Sequence, residues 1–213
     1  MAQLLAGATN VAVEVLVADL STQEGTSAVA ARIVDKDRPI DLLVNNAGYA
    51  LNAGFLKTDV AYEVAALDVM VRAVLVLSHA AAGAMVSRGR GAILNVSSIA
   101  AWLGNGSYAA HKAWVASFTE GLASQLKGTG VSATAVLPGL THTEFHERAG
   151  IAGYDELPEL AWLEAEDVVR AALSAVRRKQ VLVTPSVRYG ALAGVVRVLP
   201  RTLVRAAWRR NRV

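Results

Sequence analysis

Two ionisable side chains, Tyr108 and Lys112, stand four residues apart in a segment with helical character. On an α-helix this spacing places both side chains on one face, where they can approach each other. A neighbouring ammonium favours the phenolate and so lowers the pKa of a tyrosine from about 10 toward the range of a general acid–base. Taken alone, the pair is equally compatible with two solvent-facing residues on a helix surface.

A hydroxyl group follows a strand-like segment at Ser98. Residues 91–96 are apolar in character and run directly into Ser97 and Ser98. A serine just beyond a strand end could hydrogen-bond the substrate oxygen that Tyr108 protonates, and Ser97 is a second candidate for this role. The alternative is that Ser98 caps a turn or helix. Taken together, Ser98, Tyr108 and Lys112 suit the interconversion of a carbonyl and an alcohol.

These side chains need a scaffold, and the sequence predicts one of the α/β class. Apolar strand-like runs alternate with alanine-rich helical segments, a pattern typical of a doubly wound parallel sheet with helices on both faces. We predict strands at 11–18, 41–44, 91–96, 131–137 and 180–184, and helices at 23–35, 59–88, 107–127 and 165–178. The chain should be helical again from residue 189, with an interruption at Pro200. A single domain covering residues 1–213 is expected.

Composition excludes several function classes. A chain with 54% hydrophobic and 18% charged residues is typical of one compact soluble domain. The absence of cysteine excludes disulfide and thiolate chemistry and fits a reducing compartment, so a cytoplasmic location is expected. The four histidines show no clean ligand spacing with acidic partners, so no catalytic metal is predicted. No basic stripe crosses the sequence, which argues against nucleic-acid binding.

The segment 189–213 combines apolar residues with most of the C-terminal arginines. It is a candidate basic amphipathic helix, which could lie on an anionic membrane surface. We favour the alternative, a helix docked over the substrate pocket with a solvated arginine face. No basic segment followed by an apolar run opens the sequence, and no apolar stretch reaches eighteen residues, so neither a signal peptide nor a membrane span is expected.

The order of four motifs resembles that of the short-chain dehydrogenase/reductase family. The motifs are Asp19-Leu20 after a strand, Asn45-Asn46-Ala47-Gly48, the set Ser98, Tyr108 and Lys112, and Pro138-Gly139 followed by Thr143. The resemblance runs from about residue 11 to about residue 185. It implies a Rossmann-like three-layer fold and an oxidoreductase that transfers hydride between NAD or NADP and a substrate carbon, with tyrosine acid–base catalysis.

The resemblance also implies roles for individual residues in binding the cofactor. Asp19 would contact the adenine ring, and Asn45, Ala47 and Gly48 would support the cofactor crevice at the carboxyl edge of the sheet. Tyr108 and Lys112 would lie at the nicotinamide ribose, and Pro138, Gly139 and Thr143 would line the nicotinamide and its carboxamide. Read singly, each motif could instead be a turn or a strand-terminating polar residue.

Two features depart from the family pattern. The sequence contains no Gly-x-x-x-Gly-x-Gly turn, whose backbone amides bind the pyrophosphate. We therefore expect the sequence to be N-terminally truncated relative to the family, lacking its first β-α-β unit, and to bind the cofactor weakly. Met70 stands where the family usually has an asparagine that anchors a water in the proton relay, which questions activity without excluding it.

Partners follow from the same resemblance. The substrate would be a small carbonyl or alcohol compound, lipid-like compounds included, and residues 141–160 form a candidate lid over it. The helical regions 59–88 and 107–127 correspond to the pair that packs across a two-fold axis in the family, so a homodimer or homotetramer is expected. The alternative function is a catalytically impaired remnant that acts as an oligomerisation module.

Overall fold

A four-stranded parallel sheet organises the chain. The structure is a computed structural model and describes residues 7, 11–51, 54–104, 106–145, 157–200 and 202–204. The strands neighbour one another in chain order and are β1 (Leu42–Asn45), β2 (Gly91–Val96), β3 (Val131–Val136) and β4 (Leu182–Val183). The α-helices among the described residues are α1 (Gln23–Ile33), α2 (Val60–Leu67), α3 (Ala73–Arg88), α4 (Gly106–Gln125), α5 (Ala165–Arg177) and α6 (Val187–Val198).

Both faces of the sheet are covered by helices. Successive side chains of a strand point to opposite faces, and β2 accordingly contributes Ile93 to one core and Leu94 to the other. Ile93 packs with Ala133 and with side chains of α1, α3 and α4. Leu94 and Val136 pack against Ala172 of α5. This arrangement confirms the predicted α/β class with a Rossmann-like parallel sheet.

Local signals set where the helices begin and end. The Thr22 side chain accepts a hydrogen bond from the backbone N–H of Gly25 at the start of α1, and the Asp59 carboxylate does the same for Ala61 at the start of α2. Helix α3 ends at Gly89, which has a φ of 70° in the left-handed region that favours glycine. These ends fall close to the predicted boundaries.

The long helix predicted at 59–88 is divided by a π-helical turn. Residues Asp68–Arg72 form this turn between α2 and α3, and a 2.6 Å ion pair joins the Arg72 Nε to the Asp68 Oδ1 within it. The turn carries Met70 inward, where its side chain is 1% exposed. Insertions of this kind often lie at functional sites.

The strand predicted at 11–18 is wrong. These residues have no regular secondary structure, and their side chains are largely exposed, with Val17 91% accessible. A strand needs a neighbour to complete its hydrogen-bond ladder, and among the described residues the sheet begins at β1. Ion pairs join Glu14 of this segment to Arg32 in the last turn of α1 and to Arg38 in the loop that follows α1.

The C-terminal part follows the predicted order with shorter elements. β4 contains two residues where five were predicted, and α6 ends at Val198, before Pro200. Helix α6 packs against the short 3-10 turn Ile99–Trp102, with the Arg197 guanidinium 4.7 Å from the centre of the Trp102 ring. Residues 201 and 205–213, which carry all the arginines of the segment 189–213 other than Arg197, lie outside the described residues. No helix among the described residues is long and apolar enough to cross a membrane.

Candidate active site

Three of the predicted motifs meet at the carboxyl edge of the sheet. Parallel strands that pair in register end at the same edge, and here Asn45 pairs with Asn95 while Val96 pairs with Val136. The chain therefore leaves the sheet at this edge into the turn Asn45–Gly48, into Ser97-Ser98 and into Pro138-Gly139. Ligands of open α/β sheets bind at this edge.

Lys112 lies buried at this edge. Its side chain is only 5% exposed, and its Nζ donates a 2.9 Å hydrogen bond to the backbone carbonyl of Val96, the last residue of β2. Burial lowers the pKa of Lys112 to about 8, because the charged form loses hydration. An ammonium has three hydrogens to donate, and Val96 is its one hydrogen-bond acceptor among the described residues. The other two hydrogens of the Lys112 ammonium are therefore available to a ligand.

Tyr108 is half-buried on the first turn of α4, one helical turn before Lys112. The Lys112 Nζ lies 5.7 Å from the centre of the Tyr108 ring, and the centre of the Phe145 ring lies 6.0 Å from the same point. The helical spacing therefore brings the two side chains together as predicted. Their separation allows the ammonium to act on the phenol electrostatically.

The two adjacent serines have different environments. Ser98 is half-buried; its hydroxyl accepts a 3.1 Å hydrogen bond from the backbone N–H of Ala100 and lies 3.5 Å from the carbonyl oxygen of Pro138. Ser98 thus caps the 3-10 turn Ile99–Trp102, which is the capping role predicted as the alternative. Ser97 is 3% exposed, and its hydroxyl donates a 2.7 Å hydrogen bond to the backbone carbonyl of Lys112. Ser97 therefore faces away from solvent and fastens α4.

A buried polar network beneath the edge was not predicted. The Asn45 side-chain amide donates to Asn95 Oδ1 at 2.8 Å and to Ser78 Oγ at 3.0 Å, and the Asn95 amide donates to Thr119 Oγ1 at 2.9 Å. The network links β1, β2, α3 and α4. The Asn45 side chain is consequently engaged below the sheet edge. The signal in the sequence was an asparagine inside the otherwise apolar run of β2.

Gly48 brings its backbone close to Lys112 and Met70. A Cβ at Gly48 would lie 3.3 Å from Met70 Cγ, 3.4 Å from Met70 Sδ and 3.5 Å from Lys112 Nζ. The turn before it exposes Asn46 and Ala47. Met70 therefore contributes an apolar surface beside the lysine, at the position where the resemblance led us to expect an asparagine.

Gly139 is needed because of an aromatic ring that the sequence reading missed. A Cβ at this position would fall 2.2 Å from the Tyr189 ring. The Tyr189 hydroxyl donates to the Ala161 carbonyl at 2.5 Å and accepts a hydrogen bond from the Leu140 backbone N–H at 3.4 Å. Tyr189 of α6 therefore fixes the loop that follows β3.

Thr143 continues this loop and is exposed. Its hydroxyl accepts a 3.3 Å hydrogen bond from the Phe145 backbone N–H. Phe145 is the residue whose ring contacts Tyr108, so Thr143 is bonded directly to a neighbour of Tyr108. Residues 146–156 of the candidate lid lie outside the described residues. Thr141, the first residue of the candidate lid, forms an isolated β-bridge with Leu163, which lies three residues beyond its other end.

Asp19 acts electrostatically on Tyr49, the residue after the Asn45–Gly48 turn. Its carboxylate is exposed and accepts hydrogen bonds from the side chain and backbone N–H of Ser21, which lower its pKa. The pKa of Tyr49, which follows Gly48, is raised mainly by burial and also by the charge of Asp19. Asp19 is therefore near enough to the turn to act on it electrostatically.

Among the described residues, one group of side chains has metal-ligand spacing. The donor atoms of His142, Glu159 and Glu164 lie within 4.8 Å of one another, and all three residues are exposed. His142 Nε2 is 3.0 Å from Glu159 Oε1, and its ring stacks on Trp162. His142 and Glu159 belong to the candidate lid, Glu164 follows it, and the group takes no part in the arrangement around Tyr108.

Comparison with known proteins agrees with this geometry. Residues 1–151 match the family model described as short chain dehydrogenase. Serine 3-dehydrogenase from Rhizobium radiobacter is 35% identical over 131 residues, which span 60% of this chain and 52% of that protein. The matched region thus covers about half the length of that relative.

Solved structures extend the similarity to most of the chain. A short-chain dehydrogenase from Sphingobium yanoikuyae, determined in complex with NADPH, is 34% identical with a TM-score of 0.81, covering 91% of this chain and 77% of its own. The bulky-bulky ketone specific alcohol dehydrogenase from Comamonas testosteroni is 28% identical with a TM-score of 0.76, covering 93% and 79%. The sheet, the motifs at its carboxyl edge and the family match lead to one conclusion: the chain belongs to the short-chain dehydrogenase family and is an oxidoreductase by family.

Proposed function

We propose that the protein interconverts a ketone and a secondary alcohol with NAD or NADP as the hydride carrier. The observation that carries the proposal is the buried Lys112 ammonium beside the Tyr108 ring. A buried lysine with a depressed pKa, next to a tyrosine at the carboxyl edge of a parallel sheet, is an arrangement expected of an acid–base site.

Tyr108 serves as the general acid–base. In the reduction direction its hydroxyl gives a proton to the oxygen of the former carbonyl, and in oxidation the phenolate removes the proton from the alcohol. Lys112 stabilises the phenolate when charged, because an opposite charge nearby favours the ionised form. Since the pKa of Lys112 is about 8, the ammonium predominates at neutral pH and is lost as the pH rises through this value.

Ser98 orients the substrate oxygen. Its hydroxyl accepts a hydrogen bond from the Ala100 N–H and donates a long one, of 3.5 Å, to the Pro138 carbonyl. Rotation of the hydroxyl hydrogen away from Pro138 would make it available to a substrate oxygen. A substrate carbonyl between Ser98 and Tyr108 would receive one hydrogen bond from each. Such fixed donors stabilise the negative charge that develops on the oxygen.

The residues at the sheet edge fit the nicotinamide half of the cofactor. When bound, NAD(P) supplies or accepts the hydride. The free hydrogens of Lys112 would hold the ribose hydroxyls together with Tyr108, and the Asn45–Gly48 turn approaches Lys112 closely enough to wall the crevice. Pro138, Gly139 and Thr143 would line the nicotinamide, and Asp19 the adenine. The NADPH complex of the Sphingobium relative supports this assignment.

The substrate is proposed to be a small carbonyl or alcohol compound with substantial apolar surface. The Comamonas relative is specific for bulky-bulky ketones. In this chain Phe145 adjoins Tyr108, and Trp102 lies on the turn that Ser98 caps. Apolar rings beside the reacting groups favour substrates with apolar substituents, lipid-like ones included.

We further propose that the protein forms a homodimer or homotetramer through α2, α3 and α4. Large apolar side chains spaced along one face of α2 are exposed, with Val60 at 74%, Val64 at 53% and Leu67 at 46%, and α3 exposes Leu75 and Val86. Contiguous apolar surface of this kind marks interaction sites. Light scattering coupled to size exclusion would report the mass, and a monomer at micromolar concentration would contradict the proposal.

The proposed reaction is tested by following NADPH and NADH consumption with a panel of aliphatic, aromatic and steroid-like ketones. Wild type should consume the cofactor with at least one ketone, and Tyr108→Phe should lose nearly all of this activity. Tyr62→Phe is the matched control, because Tyr62 is exposed on α2 and should retain activity. Equal rates in wild type and Tyr108→Phe would overturn the assignment, as would the absence of ketone-dependent consumption in wild type.

A further inference from the structure

Two ionisable side chains on neighbouring helices are buried, and each has one polar atom without a hydrogen-bond partner. Glu63 of α2 is 8% exposed and His111 of α4 is 7% exposed. Glu63 Oε1 and His111 Nδ1 have no hydrogen-bond partner among the described residues. Buried polar atoms are almost always hydrogen-bonded, because leaving one unpaired costs the full free energy of its desolvation. We therefore expect each of the two atoms to gain a hydrogen-bond partner.

The two side chains lie close enough to sense each other's charge. Helix α2 packs against α4. Burial lowers the pKa of His111, the Glu63 carboxylate opposes this effect, and the Lys112 ammonium adds to it. Glu63 also raises the pKa of Tyr49, although burial is the main cause there. Tyr62 on α2 and Tyr108 on α4 are further titratable groups on the two helices that carry the pair.

The spacing along α2 explains how Glu63 reaches this interface. Glu63, Ala66 and Met70 are buried at positions i, i+3 and i+7, which form one stripe of a helix. The π-helical turn carries the end of this stripe to Lys112, because Met70 and Lys112 approach the same point beside Gly48. Glu63 occupies the other end of the stripe, toward His111.

We propose that Glu63 and His111 form a hydrogen-bonded carboxylate–imidazole pair that positions the Tyr108–Lys112 segment. In the structure the two atoms are not hydrogen-bonded to each other. Rotation of the two buried side chains brings the Nδ1–H of His111 onto Glu63 Oε1 as donor, so that one bond satisfies both atoms. His111 follows Tyr108 by three residues and immediately precedes Lys112, and fixing its ring therefore fixes the rotation of α4 at the site. Glu63 and His111 are positioning residues, and this part of the inference rests on the proposed function.

The pair itself is tested without turnover, by following histidine ring signals in an NMR pH titration. His79→Gln, His142→Gln and His146→Gln assign the other three histidines. Removing the Glu63 charge should lower the midpoint of His111 by roughly one pH unit in Glu63→Gln. Glu120→Gln, on the exposed side of α4, is the matched control and should leave it unchanged. An unchanged midpoint in folded Glu63→Gln would overturn the pair.

A double-mutant cycle covers the case in which one variant is too unstable to titrate. Thermal unfolding of Glu63→Ala, His111→Ala and the double variant gives the coupling between the two side chains. For a bonded pair, the second substitution should shift Tm much less than the first. Additive shifts would show that the side chains act independently and would contradict the proposal.

Turnover separates positioning from general stability. Glu63→Ala should lower kcat roughly tenfold or more, since small displacements of reacting groups cost this much. Glu63→Gln can still accept the hydrogen bond from Nδ1 and should restore most of kcat. Equal kcat loss in both variants would contradict a positioning role. Absence of turnover in wild type would instead count against the proposed function and leave the titration and the cycle as tests of the pair.

Discussion

The Ser97 hydroxyl donates a 2.7 Å hydrogen bond to the backbone carbonyl of Lys112, while the Lys112 ammonium donates a 2.9 Å hydrogen bond to the backbone carbonyl of Val96. Two successive residues at the end of β2 are thus joined to both the main chain and the side chain of one lysine. The sheet edge and α4 are fastened at the point where the proposed chemistry occurs.

The two adjacent serines should respond differently to substitution. Ser97→Ala removes a buried hydrogen bond and should lower the free energy of unfolding by about 1 kcal/mol. Ser98→Ala should lower kcat for ketone reduction at least tenfold, because the substrate oxygen loses one donor. Urea unfolding and steady-state kinetics on both variants give the comparison. An unaltered kcat in Ser98→Ala would remove Ser98 from the proposed mechanism.

The buried charge of Lys112 should destabilise the folded protein, although the residue should be necessary for activity. Its pKa of about 8 in the folded protein lies below the value of about 10.4 in an unfolded chain. The unfolded state therefore binds more protons between these values, and this group makes stability rise as pH increases from about 8 to 10.4. Lys112→Met should abolish ketone reduction and stabilise the fold at pH 7 by on the order of 2 kcal/mol.

The measurement is the stability difference between wild type and Lys112→Met across the alkaline range. The difference should shrink as the pH rises through the stated window, because the wild-type penalty disappears. A variant less stable than wild type at every pH would show that the bond to Val96 outweighs the cost of burial.

The sequence was informative where residues act through local rules. The four-residue spacing of Tyr108 and Lys112 depends on helix geometry alone, and the structure does bring the two together. The helix starts at Thr22 and Asp59 depend on capping side chains and also fall where expected. The parallel order of strands follows from their alternation with helices.

It was less informative where a residue depends on distant partners. The segment 11–18 has the composition of a strand, but a strand forms only beside another, and none pairs with it in the described part of the chain. The π-helical turn at Met70 arises inside a uniformly helical pattern. Asn95 and Tyr189 gain their roles from residues far along the chain, to which periodicity and local composition give no access.

Gly139 should tolerate no side chain while Tyr189 is present. A Cβ there would meet the Tyr189 ring at 2.2 Å, so Gly139→Ala must displace either the loop after β3 or helix α6. We expect a loss of about 1–3 kcal/mol in unfolding free energy. Tyr189→Ala by itself should lower the free energy of unfolding. In the double variant it should reduce the loss caused by Gly139→Ala, because the ring that clashes with the new Cβ is gone. Strictly additive losses would indicate that the two residues do not clash.

Cofactor binding should depend mainly on the nicotinamide half. The residues at the sheet edge are proposed to bind that half, whereas the sequence has no Gly-x-x-x-Gly-x-Gly turn to bind the pyrophosphate. Calorimetry should therefore give Kd values for NADH and reduced nicotinamide mononucleotide that agree within about tenfold, a difference of about 1.4 kcal/mol. Lys112→Met should weaken both ligands, and Asp19→Ala should weaken only NADH. If NADH bound the 213-residue chain a hundredfold more tightly than the mononucleotide, another part of the chain would have to hold the pyrophosphate.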